Sequence, residues 1–210
     1  GRRLPFEVVA GEGPMVIAHE NVMARMSAPT GQTATAPEKA WPNETYHVDY
    51  KKLAAHYRGG EQIELMFTPA AHSDGDSIVW FRHADVIATG DVFMENTYPI
   101  IEADNGGTIN GELAALNKIL DIAFADFRSE NGTMIIPGHG RLCDMSDVGY
   151  YRDMLTIIRD RVQDMIKKGM TLEQVKAAKP TRDYDGRYGA ATGPWTTDMF
   201  VEAVYKTLKK

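Results

Sequence analysis

The stretch TPAAHSDGDSIVWFRHADVIATGDVF, residues 68–93, decides how the fold is read. It contains two apolar runs. SIVWF (77–81) is short and almost wholly apolar, the pattern of a β-strand covered on both faces. ADVIATGD (84–91) reads as a second strand that ends at Gly90. His72 precedes the first run, followed by Asp74, Gly75 and Asp76, and Gly75 permits a sharp turn there. Asp91 closes the second run. Imidazole and carboxylate groups beside strand ends occupy the place where open α/β sheets bind ligands.

Working outward, EQIELMFTPA (61–70) alternates Ile63, Leu65 and Phe67, which predicts a strand with one buried face. PMVIAH (14–19) predicts another strand. ENVMARM (20–26) predicts a short helix with Val22, Met23 and Met26 at helical spacing. Residues 27–46 hold three prolines and few aliphatic side chains, the composition of a loop. Residues 109–127 place Leu113, Leu116, Leu120, Phe124 and Phe127 on one stripe of an amphipathic helix. TMIIPGHG (133–140) predicts a buried strand stopped by Pro137 and Gly138. Ser146 or Asp147 caps the next helix, which carries Tyr151, Leu155, Ile158, Val162 and Met165 and stops at Gly169. Thr171 and Gln174 form a capping-box pattern. Residues 180–194 read as a loop, and residues 195–208 as a terminal helix burying Phe200, Val204, Tyr205 and Leu208. Strands first, then strand–helix alternation, then helices imply a mixed α/β layered sheet. The expectation is a single domain over 1–210 with a helical region from about 146 onward.

The 210 residues carry a net charge of −6, with Lys and Arg scattered and no basic stripe, which argues against nucleic acid as the main partner. A small-molecule substrate is the expectation. Cys143 is the one cysteine, so the chain has no intrachain disulfide and no CxxC metal knuckle. The basic start is followed by an apolar run broken at Glu7, Gly11, Glu12, Gly13 and Pro14, a poor signal peptide. No run of 18 apolar residues exists to span a membrane.

Each candidate residue has an ordinary reading beside the chemical one. His72 fits a polar turn as well as a ligand whose second nitrogen is held by Asp74 or Asp76. Asp91 fits a turn cap. His139, between Gly138 and Gly140, fits a turn histidine, although the flanking glycines clear space around an imidazole. Together the three lie at the C-terminal ends of predicted strands, and two imidazoles with one carboxylate are an ordinary zinc set. His19 is expected to be structural near a helix start, and His47, His56 and His83 to lie at the surface.

AHSDGDSIVWF, ATGDVF and IIPGHG, in that order, resemble the third, fourth and fifth metal motifs of the metallo-β-lactamase superfamily. VIAHENV (16–22), YPIIEADNGGTINGELAALNKIL (98–120) and YRDMLTIIRDRVQDMIKKGMTLEQVKAAKP (151–180) resemble its connecting and terminal segments. The resemblance implies an αββα sandwich with one or two zinc ions at one edge. It implies that His72 completes the first metal site, that Asp91 binds the second metal or bridges both, and that His139 completes the second. Asp74 and Asp76 would support the ligands, and Tyr98 and Asn105 would approach the substrate. A metal-bound hydroxide would attack an ester, amide, thioester or phosphoester. Iron or manganese suits the same donors.

The family's first motif, His-x-His-x-Asp-His, is absent, and no His-x-His occurs in the chain. HVD (47–49) does not stand at that motif's place. The resemblance therefore reads the chain as an N-terminally incomplete member. Its zinc affinity is then expected to be weak, and an uncovered sheet face is expected to drive homo-oligomer formation. The alternative reading is a non-catalytic fragment of the fold that self-associates.

Overall fold

The structure, a computed structural model, describes residues 15–28, 33–53, 61–123 and 132–209. They belong to two units that divide between His47 and Val48. In the first, β1 (Ile17–His19) leads directly into α1 (Glu20–Ser27), and β2 (Glu44–Tyr46) pairs parallel to β1. His19 joins the two elements: its Nδ1 accepts from the Asn21 amide at 3.3 Å as the helix cap, and its ring meets Tyr46 edge-on at 5.3 Å. The sequence reads 27–46 as loop, yet β2 and a 3₁₀ turn at Glu38–Ala40 lie within it. A three-residue strand is too short to display a period.

The second unit is built on a five-stranded sheet of β3 (Tyr50–Leu53), β4 (Ile63–Thr68), β5 (Asp76–Phe81), β6 (Val86–Met94) and β7 (Met134–His139), in that spatial order. The first four are antiparallel neighbours, whereas β7 runs parallel to β6. A parallel partner demands a crossover, and the segment between β6 and β7 carries α2 (Ile109–Ile122). Four helices follow: α3 (Met145–Lys167), α4 (Leu172–Ala178), α5 (Asp185–Tyr188) and α6 (Thr197–Leu208). The mixed α/β class expected from the sequence is the class observed. Among the described residues no helix is long and apolar enough to cross a membrane.

Strand register sorts the side chains onto two faces. Met66 pairs with Ile78, and Ile87 with Ile135; all four join the core cluster with Leu116, Ile119, Leu155, Ile158, Phe200 and Val204. The alternate residues form two apolar rows on the other face. One runs Ile63, Phe81, Val86, Met134; the other runs Leu65, Val79, Ala88, Ile136. Neither row joins that cluster, and Met134 and Ile136 at the β7 edge are exposed.

Several boundaries differ from expectation for physical reasons. β6 does not stop at Gly90 but runs through Asp91 to Met94. Gly90 sits at φ +55°, and the β6–β7 register shifts on either side of it, so the strand bends at a bulge and resumes. β7 likewise continues past Pro137 to His139. Among the described residues it is an edge strand, where a missing amide donor is tolerated. The cap of α3 is Asp144, with Asp147 as its capping-box partner, and neither Ser146 nor Asp147 is the cap. The Thr171–Gln174 capping box forms as read. The terminal helix starts at Thr197, two residues later than expected, and the short helix α5 interrupts the predicted loop. Phe124, Phe127 and His56 lie outside the described residues.

Candidate active site

The bulge in β6 brings Asp91 beside the end of β7. His139 Nε2 lies 3.5 Å from Asp91 Oδ1, and both side chains are substantially open to solvent. Gly138 makes the approach possible, because a Cβ there would sit 2.3 Å from Asp91 Oδ1 and 2.7 Å from the Gly90 carbonyl oxygen. Gly140, at φ +114°, turns the chain away after His139, against Glu95. Donor spacing is informative here. Two ligands of a tetrahedral zinc, each about 2.1 Å from the ion, stand roughly 3.4 Å apart. The Asp91–His139 pair has the spacing of two donors to one ion.

His72 occupies the loop between β4 and β5. Its Nδ1 lies 2.6 Å from the Ile100 carbonyl oxygen, which accepts only if Nδ1 carries the proton. That tautomer leaves the neutral ring's lone pair on Nε2, which faces Glu102 Oε1 at 4.0 Å. The loop is pinned from the other side by the Glu102 amide, which donates to the His72 carbonyl at 2.9 Å.

The neighbouring acids, Asp76 and Asp74, shape the loop that carries His72. Asp76 accepts from the Ser73 amide at 2.6 Å and the Ser73 hydroxyl at 3.1 Å, so it closes the turn. Burial raises its pKa; the Ser73 bonds and the nearby His72 oppose the rise. The Asp74 amide donates to the Asn105 carbonyl at 3.0 Å, and the Asp74 side chain lies against Gly106. Asn105 Nδ2 donates to Glu102 Oε2 at 2.7 Å, which buttresses the loop around His72.

Tyr98, expected near substrate, is 1% exposed. Its hydroxyl is 2.9 Å from the Asp185 carboxylate and its ring stacks on Phe200 at 4.6 Å, so it is a core residue that docks α5 and α6. Burial raises its pKa far above the usual phenol value.

Two residues escaped the sequence reading. Glu102 approaches Nε2 of His72, but nothing in IEADNGG marks it out from its acidic neighbours. Glu112 is a fully buried carboxyl that acts electrostatically on this region. Its sequence signal was available: a Glu at a core position of the α2 stripe.

Among the described residues, no group of three His, Cys, Asp or Glu side chains is gathered to hold a metal ion. Asp91 and His139 fit two donor positions, and His72 is not brought to the same point. The described residues thus fall short of a full metal set.

No family model matches the sequence, and no curated protein matches it. Solved structures do. The stereoselective inverting sec-alkylsulfatase Pisa1 from Pseudomonas sp. matches with a TM-score of 0.56 and 17% identity, over 79% of this chain and 26% of that one. A metallo-β-lactamase from Pontibacter korlensis matches at TM-score 0.47 and 15% identity, over 67% of this chain and 57% of that one. The B3 metallo-β-lactamase BLEG-1 matches at TM-score 0.48 and 24% identity, over 67% of this chain and 65% of that one. The chain therefore spans about a quarter of the alkylsulfatase's length. The likeness to that enzyme is one of fold.

Proposed function

We propose that the chain is part of a hydrolase of the metallo-β-lactamase type that acts on a small-molecule substrate. The observation that carries this is the Asp91–His139 pair at 3.5 Å, open to solvent and set where the β6 bulge lies beside the end of β7. Two donors of complementary type meet there at the spacing of a shared ion, on a fold similar to that of an alkylsulfatase. Zinc is the natural occupant of a carboxylate–imidazole pair, and His72, with its tautomer set by the Ile100 carbonyl, is a candidate donor to a separate metal position.

A catalytic zinc takes three protein donors. With two in place the affinity is low. Isothermal titration is expected to show zinc binding weaker than micromolar in this chain, and submicromolar binding to a monomer would contradict that. The activity test uses a chromogenic β-lactam, a lactone and a phosphodiester in the presence of zinc. His139→Ala is expected to abolish whatever hydrolysis appears. The side chain is exposed, so its loss leaves the fold intact. Unchanged turnover in the variant would remove the pair from the reaction.

The two apolar rows on the sheet face opposite α2 and α3 favour a second reading, an association module. The occupant is a second copy of the chain. Such a face can pair with itself about a two-fold axis, with the exposed Met134 and Ile136 at its edge. Light scattering is expected to report a dimer that Ile136→Lys shifts toward monomer. A wild-type chain that stays monomeric at about 50 μM, in the affinity range of a weak dimer, would remove this reading.

A further inference from the structure

Glu112 lies in the first turn of α2 with no exposed surface, and neither of its carboxyl oxygens has a hydrogen-bond partner. Burying an unpaired carboxylate costs far more than burying the neutral acid. The groups that act on it sharpen the preference. Asp76 on β5 and Asp91 on β6 are both acidic, and from α3 the buried phenol of Tyr151 is coupled to it. Burial first, then these two carboxylates, place its pKa well above the ordinary 4.5. On α6, Thr207, which receives the Ile109 amide at 3.4 Å, is uncharged. On the β4 side, the Lys118 ammonium is engaged with the Phe67 carbonyl at 2.9 Å.

The turn that carries Glu112 cannot swing outward alone. The Thr108 amide donates to the carbonyls of Ala70 and Ala71 at 2.9 and 3.1 Å, and the Thr108 hydroxyl donates to Ala70 at 3.0 Å. The packing is backbone on backbone: a Cβ on Gly111 would lie 1.8 Å from the Ala70 oxygen, and one on Gly107 would lie 2.2 Å from the His72 oxygen. Hydrating Glu112 therefore means parting α2 from residues 70–72.

We infer that Glu112 is a pH-sensitive latch: the folded chain holds it as the neutral acid, and ionising it releases the first turn of α2 from the loop that carries His72. The latch stands independently of the hydrolase reading, since it needs no metal. Its sign follows from linkage. The folded-state value lies above the unfolded one, so the stabilisation is complete below about pH 4.5 and is lost as pH rises toward the folded value.

The test is urea denaturation of the full chain in EDTA from pH 5 to pH 9, for wild type and Glu112→Gln. The ratio of their folding constants is expected to fall about tenfold per pH unit until folded Glu112 ionises. Parallel profiles would overturn the latch. Amide exchange at Thr108 reads the loop directly: the wild-type rate relative to the variant rises with pH if the latch opens, and a constant ratio overturns it. Should Glu112→Gln not fold, the wild-type ¹³C carboxyl shift of Glu112 at pH 7 decides. A protonated value supports the latch and an ionised value overturns it.

Discussion

Phe200→Ala is expected to lower the unfolding free energy by about 3–5 kcal/mol, the range for removing a buried aromatic ring. Phe200 is fully buried on α6 and stacks on Tyr98 with centroids 4.6 Å apart and planes 5° from parallel. Tyr98 in turn holds α5 through Asp185. The ring thus joins α6, α5 and the segment after β6, and alanine leaves a cavity that a backbone fixed on three sides cannot close. In a chain of this size the loss corresponds to a fall in melting temperature of roughly 10 °C. Ile157→Ala, at a 40%-exposed position of α3, is the control and is expected to change little. Equal effects of the two substitutions would show that α6 does not pack as described.

Gly111→Ala is expected to destabilise the chain by about 3 kcal/mol, the upper range of overpacking. The direction is the point. Glycine to alanine inside a helix ordinarily stabilises by about 0.5–1 kcal/mol. Here the added methyl would stand 1.8 Å from the Ala70 oxygen and 2.3 Å from the Ala70 carbonyl carbon. Those are backbone atoms, held by their own bonds to Thr108, so the clash is relieved only by moving α2 or the His72 loop. Urea denaturation reads the sign, and a more stable variant would show that α2 does not sit against residues 70–72.

The helices were legible where the period was long. Leu113, Leu116 and Leu120 announced α2, and Tyr151, Leu155, Ile158 and Val162 announced α3, because over ten or more residues a stripe is hard to form by chance. Strand limits were less legible. Gly90 and Pro137 are ordinary strand breakers, yet a bulge absorbs the first and an edge position excuses the second. Both exceptions depend on which strand lies alongside, which no local pattern contains.

The site divides the same way. Its residue types could be read locally: His72 after a strand, Asp91 after a glycine, His139 between two glycines. Their distances could not. Asp91 meets His139 only because a parallel β7 lies beside the bulge and Gly138 has no Cβ to keep them apart. The core position of Tyr98 and the unpartnered carboxyl of Glu112 likewise depend on which helices close over them. By itself the sequence determined the mixed α/β class, the long helices and the kinds of donor available, since these follow from local periodicity and side-chain chemistry. Tertiary structure alone decided which donors meet and which acid is sealed from water. Those outcomes depend on contacts between residues far apart in the chain, where packing and burial set the energies.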